Sequence, residues 1–114
     1  MGRLRLHSCE VDLETGWIWI ENEQSRSRLN EVLLNLFNLL VRRAGGDVSH
    51  DELRQTVWND RLDMETHSDR KQKMRKVYIA VTRLRRAIRD DVRPYRHVVS
   101  SHVGYYRFEP LGEE

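Results

Sequence analysis

The stretch Arg75-Lys-Val-Tyr-Ile-Ala-Val-Thr-Arg-Leu-Arg-Arg-Ala-Ile-Arg89 constrains this chain more than any other. Val77, Val81, Leu84 and Ile88 recur at i, i+4, i+7 and i+11, the spacing of one apolar stripe on a helix. The other side carries Arg75, Ile79, Thr82, Arg83, Arg85, Arg86 and Arg89. Tyr78 stands on the same flank as Arg85 and Arg89. A helix with one apolar side and one arginine-rich side can dock on a small core and still lie in a groove of duplex DNA.

The charge distribution points the same way. The net charge is only +2, but residues 1–69 carry eight basic and thirteen acidic side chains, whereas residues 70–96 carry eleven basic ones against Asp90 and Asp91 alone. A block of that sign is an electrostatic footprint for a polyanion. The 114 residues suffice for one domain with a modest core. No run of 18 apolar residues could span a membrane, and no charged-then-apolar leader is evident. Cys9 is the single cysteine, so no internal disulfide can form and a reducing, cytoplasmic setting is expected.

Residues 3–28 read as three or four short antiparallel strands. Leu4–His7 and Val11–Leu13 alternate, Glu14–Gly16 turns, Trp17–Ile20 is aromatic and β-branched, and Asn22–Gln24 turns again. Trp17 and Trp19 share one face and are expected to pack there. From Asn30 the period becomes helical, with Leu33, Phe37, Leu40 and Ala44 in one stripe and Gly45-Gly46 as the stop. Ser49 and Glu52 read as a capping box, with Val48 and Leu53 as its hydrophobic staple. That places a second helix from His50 to about Asn59. Asn59 to Met74 reads as a polar linker, whose second half could extend the third helix backwards. Arg93-Pro94 ends the helical part. Residues 96–108 read as a β-hairpin turning between Ser100 and Gly104, with Tyr105 expected in the core. Pro110–Glu114 reads as a tail.

Enzyme chemistry finds no support in this pattern. His7, His50, His67, His97 and His102 are scattered, and His-Glu-x-x-His, Cys-x-x-Cys and Gly-rich phosphate loops are missing. His97 and His102 could pair around a metal but have no third ligand. Cys9, beside Glu10, has no cationic neighbour to activate it. We expect no catalytic residue, no metal and no cofactor.

Sheet, three helices, hairpin is the order of a winged helix-turn-helix, and the residues resemble the OmpR/PhoB-type transcriptional effector domain. Leu29-Asn30 is similar to the Leu-Thr that opens that family's first helix, and Leu36, Phe37 and Leu40 fit next. Gly45-x-x-Val48-Ser49-x-Asp51-Glu52-Leu53-x-x-x-Val57-Trp58 follows its second-helix motif without a gap. Residues 75–86 resemble its recognition helix, and Gly104-Tyr105 the end of its wing. Tyr78 and Ala80 stand where the family usually has an acidic residue and a histidine. Ser101-His102 stand where its wing carries Arg-Gly, and the connection between the second and third helices is longer than usual.

The resemblance implies an α+β fold over residues 1–114: an N-terminal antiparallel sheet at 3–28, three helices at 29–91 and a wing hairpin at 96–108. It implies a sequence-specific double-stranded DNA-binding transcriptional regulator with recognition helix 75–89 in the major groove. Arg83 is then the first candidate to read a base. Ile79 and Thr82 can touch a thymine methyl. Arg75, Arg85, Arg86 and Arg89 hold phosphates; Tyr78 either donates to one or packs on the linker, and Ser101 and His102 either meet the sugar-phosphate backbone or form a plain surface turn. RNA polymerase is a second implied partner, through the loop before the third helix. The chain is expected to be a monomer in solution that pairs head-to-tail on DNA, either a free-standing regulator or a domain excised from a longer one. The alternative is a winged-helix interaction module that docks on RNA polymerase or another protein and binds little DNA.

Overall fold

The structure is a computed structural model that describes residues 2–21, 26–63 and 65–111. The turn expected at Asn22–Gln24 and the end of the tail, 112–114, lie outside the described residues. Four short strands open the chain: β1 (Arg3–Arg5), β2 (Cys9–Asp12), β3 (Trp17–Ile20) and β4 (Arg26–Arg28). They form one antiparallel sheet in sequence order, with Val11 opposite both Leu4 and Ile18. The alternation of each strand decides which face is dry. Cys9, Val11 and Ile18 are buried against the helices, while Trp17 and Trp19 lie half-buried on the outer face. There the tryptophans pack under arginines: the Arg3 guanidinium sits 3.9 Å from the Trp19 ring centroid and Arg26 4.4 Å from that of Trp17. Gly16 makes the β2–β3 turn possible. Its φ is 85°, and a Cβ there would sit 3.0 Å from the Leu29 carbonyl oxygen.

Helix α1 (Glu31–Arg42) starts where Asn30 Oδ1 accepts the Leu33 N–H at 2.9 Å. It buries Leu33, Leu36, Phe37, Leu39 and Leu40. The helix ends before Ala44, which is exposed and does not extend the apolar stripe as expected. A two-residue strand that the sequence reading missed follows, β5 (Val48–Ser49), and then α2 (His50–Val57). Ser49 Oγ accepts the Glu52 N–H at 3.1 Å. Only this half of the expected capping box forms, because the Glu52 carboxylate turns to Arg43 instead. Val48 and Leu53 are both fully buried, as a staple requires.

The third helix corrects the expected boundaries. Helix α3 runs His67–Ala87, two turns longer at its start than the segment from Arg75, and two residues shorter at its end. Thr66 and Asp69 form a complete reciprocal capping box at its N-terminus. The second half of the polar linker expected over Asn59–Met74 does extend the helix, which leaves residues 58–66 as the connection. Within it Asp60 and Glu65 are held by Arg54, whose side chain is fully buried. Its guanidinium donates to Asp60 at 3.0 Å and pairs with Glu65. Lys76 reaches Asp60 at 2.9 Å and Lys73 reaches Glu65 at 3.3 Å.

Strands β6 (Val98–His102) and β7 (Tyr105–Phe108) form the closing hairpin, with an irregular register between Ser100 and His102. β5 pairs with β7, which makes a second, three-stranded sheet in the order β5-β7-β6. In β7 the buried residues are Tyr106 and Phe108; Tyr105, expected in the core, points out because alternation from Phe108 leaves it on the wet side. Both sheets and all three helices share one apolar cluster. No described helix is long and apolar enough to cross a membrane.

Two stability outcomes follow. Ser49→Ala removes the acceptor at the start of α2 and should lower folding stability by about 1 kcal/mol, read as a shift of the denaturant midpoint. Arg54→Leu leaves Asp60 and Glu65 facing each other without their shared cation and should cost on the order of 3–5 kcal/mol. Burial pushes the Asp60 carboxyl up, but hydrogen bonds from Lys76 and Arg54 outweigh it and hold the group below its ordinary value. Its stabilising contribution is thus full above the ordinary carboxylate range and is lost as pH falls through the lowered folded value. In Arg54→Leu the acid limb of a stability-versus-pH curve should flatten.

Candidate nucleic-acid interface

Helix α3 is seated by the stripe read from the sequence. Val77, Val81 and Leu84 are fully buried and Ile88 is 1% exposed. Ala80 joins them at the edge of the seam. The opposite side is open: Arg75, Tyr78, Ile79, Arg83 and Arg86 are exposed and Thr82 is half-buried. The structure thus brings Arg75, Tyr78, Ile79, Thr82, Arg83 and Arg86 onto one continuous outer surface. Arg89 lies just past the helix end, exposed, at a φ of 61°.

Arg85 does not belong to that surface. It is 6% exposed, its Nε donates to the Val98 carbonyl at 2.8 Å and its Nη2 to Ser100 Oγ at 3.4 Å. Its guanidinium lies 3.8 Å from the Tyr95 ring centroid. The reason is angular. At 100° per residue Arg85 sits only about 70° from the middle of the apolar seam, and the hairpin covers that flank. Burial pulls the Arg85 guanidinium below its ordinary value, with the rings of Tyr95 and Tyr106 and the carboxylate of Asp90 opposing it.

A second polar joint fixes the hairpin to the end of α3. The Asp90 carboxylate, 4% exposed, accepts three backbone N–H groups: Arg96 at 2.6 Å and His97 and Val98 at 2.9 Å each. His97 then links the wing to the N-terminal sheet. Its Nε2 accepts the His7 N–H at 2.9 Å and its Nδ1 faces the Glu109 carbonyl at 2.9 Å. An N–H can only donate and a carbonyl can only accept, so the ring proton sits on Nδ1. With both nitrogens engaged by backbone, His97 has none left for the metal pairing with His102 that its spacing allows. Among the described residues no cluster of three metal-ligating side chains occurs. Cys9 is buried with its thiol donating to the Ile88 carbonyl at 3.4 Å, and burial pushes it up to about 11.

The hairpin tip projects beyond this joint. Val103 is 98% exposed, and Gly104 turns with a φ of 84°. His102 is exposed, stacked on Tyr105 at 4.1 Å between ring centroids, with Asp47 3.8 Å from its Nδ1. Ser101 departs from expectation: its hydroxyl is shielded from solvent, because the irregular register turns it inward. Between α3 and the hairpin lies a cleft of about 610 Å³ lined by Tyr78, Arg85, Arg93, Pro94, Tyr95 and Ser100. A hydrogen bond from Arg93, 3.4 Å from the hydroxyl, draws Tyr95 below its ordinary value. Neither Arg93 nor Tyr95 was singled out from the sequence. Arg93 lay within the basic block, but only the turn around Pro94 brings it beside α3.

No family model and no curated protein matches the chain. Solved structures do. The response regulator DrrB of Thermotoga maritima, described as an OmpR/PhoB homolog, superposes with a TM-score of 0.69 at 22% identity over 95% of this chain; the match spans 44% of DrrB. The RstA DNA-binding domain of Klebsiella pneumoniae, determined in complex with the RstA box, gives 0.70 at 18% identity, covering 96% of this chain and 98% of that one. The DNA-binding domain of E. coli CadC gives 0.67 at 17% identity, covering 95% and 92%. With a four-stranded sheet before three helices and a C-terminal hairpin, the chain has the winged helix-turn-helix fold of the OmpR/PhoB-type DNA-binding domains.

Proposed function

We propose that this chain is a sequence-specific, double-stranded DNA-binding transcriptional regulator that lays α3 in the major groove. The observation that carries the proposal is the outer face of α3: arginines at 75, 83 and 86 around Ile79 and Thr82, on a helix whose inner face is sealed in the core. The RstA domain, similar in fold, was determined on its DNA box. Phosphate contacts by the basic residues supply affinity, and the helix supplies specificity. Arg83 reads a base edge, Ile79 and Thr82 meet thymine methyls, and Arg75, Tyr78, Arg86 and Arg89 hold the backbone. His102 brings the wing to the sugar-phosphate chain. Arg85 is bonded inward to the hairpin and the Ser101 hydroxyl is shielded from solvent, so neither is part of this surface. A protein-docking face would centre on apolar and aromatic groups with charges confined to its rim; here Arg75, Arg83 and Arg86 stand directly beside Ile79 and Thr82, so the cations are interleaved with the apolar groups instead of rimming them.

An anisotropy titration against genomic duplex fragments at two salt concentrations tests the proposal. Binding should weaken steeply as salt rises. No detectable binding even at low salt would hand the chain to the interaction-module reading. On the selected site Arg83→Ala should cost about 1–3 kcal/mol, with much less loss on random duplex and a change in folding stability within about 0.5 kcal/mol. Arg85→Ala should instead show its main effect as a lowered denaturant midpoint, because a buried hydrogen-bonded group is lost.

The free chain should sediment as a monomer. The exposed large hydrophobic residues are spread from Val32 to Leu111 along the described chain. Pairing then occurs only on DNA, head-to-tail, on half-sites about one helical turn apart, on the order of 10–11 base pairs. A tight dimer without DNA, or a palindromic footprint, would contradict that arrangement.

A further inference from the structure

The two extra turns of α3 carry charge in an ordered way. Arg70, Lys73 and Lys76 face the rest of the protein and are ion-paired, Arg70 with Asp51 at 3.0 Å, Lys73 with Glu65 and Lys76 with Asp60. Lys71 and Arg75 are exposed and have no ion-pair partner among the described residues. Lys71, Arg75, Tyr78, Thr82 and Arg86 follow one another at i, i+4, i+7, i+11 and i+15, a single stripe along the outer face. At 1.5 Å per residue that stripe is about 22 Å long. The major groove is about 12 Å wide, and it winds around the duplex axis. A straight helix of this length cannot keep both ends over base edges, so its ends come to lie against the phosphate chains that border the groove.

We infer that Lys71, at the far end of this stripe, binds a DNA backbone phosphate flanking the bases read by the middle of α3. The inference rests on the DNA-binding reading above and adds a contact to it. Lys71 stands about 12 Å from Ile79 along the helix, far enough to reach the groove wall when Ile79 and Thr82 are at its floor. The ligand is the phosphodiester of duplex DNA, chosen by charge and by continuity with the arginine face. As a backbone contact it is independent of base sequence. Arg75, one turn closer to the middle, shares the same wall.

The test pairs two variants that remove one positive charge each from exposed sites on the same helix: Lys71→Ala and Arg70→Ala. Both put a strong helix former in place of an exposed side chain, so both should fold. Each is titrated, with the wild type, against a fluorescein-labelled duplex of random sequence over a series of salt concentrations. Lys71→Ala should bind roughly eight-fold more weakly at 0.1 M salt, and its log–log salt slope should fall by about 0.9, the counterion release of one phosphate. Arg70→Ala, whose side chain is already committed to Asp51, should keep the wild-type slope. Equal losses in the two variants would mean that net charge alone is sensed and would overturn the Lys71 contact. So would a Lys71→Ala protein indistinguishable from wild type. A wild type that binds no duplex at all would overturn the DNA-binding reading itself, an outcome separate from either of these.

Discussion

Everything about this molecule's working face depends on how α3 is seated. Four aliphatic side chains, Val77, Val81, Leu84 and Ile88, leave at most 1% of their surface to water. Each such burial is worth about 1.5–3 kcal/mol relative to exposure, so rotating the helix about its axis would expose several of them at once. The seam therefore fixes the azimuth of every other residue on α3. Ile79, Arg83 and Arg86 face out because of what faces in. No separate device orients them, and none is needed.

Position along and beside that helix is set by polar joints, one on each side. On the side toward α2, Arg54 gathers Asp60 and Glu65, which Lys76 and Lys73 of α3 also reach. On the side toward the hairpin, Arg85 and Asp90 do the equivalent work with opposite means. Arg85 is a buried cation held by a carbonyl, a hydroxyl and the face of Tyr95. Asp90 is a buried anion held by three amide N–H groups. Buried charges tolerate loss of a partner badly, which makes each joint specific for one geometry. The distance and angle between α3 and the wing tip follow from these contacts, and with them the shape of any duplex that could touch both.

The sequence made the middle of this architecture legible and the joints illegible. The seam of α3, the cap at Ser49 and the hairpin all rest on local spacing, and local spacing is what periodicity reads. Arg54 could not be recognised as a core residue, because its burial depends on Asp60 and Glu65 folding back over it. The sequence leaves the start of α3 open, with the second half of the linker only able to extend it, for a related reason. His67 to Lys76 lies beyond the core, so it has no apolar stripe to show; its signal was the Thr66–Asp69 box, a weaker mark than a period. Arg85 was misassigned because an amphipathic projection cannot know which flank a later hairpin will cover. Tyr105 and Tyr106 differ by one position, and only the register of β7 against β6 decides which goes inside.

These assignments change what the basic block can do. Counted from the sequence, residues 70–96 bring eleven cations to a polyanion. In the folded chain Arg70, Lys73 and Lys76 are spent on carboxylates of the same molecule, and Arg85 is sealed behind the wing. On the DNA-binding proposal, at most seven of the eleven remain to neutralise phosphates, and counterion release scales with phosphates neutralised, not with formal charge. The block can thus contribute a log–log salt slope no steeper than about 6, where a count of charges would give about 10. The four committed cations do a different job: they lock α2, the loop and the wing to the helix that carries the rest. Charge density along a segment and charge left free for a polyanion are separate quantities, and in this chain the difference between them holds α2, the loop and the wing on α3.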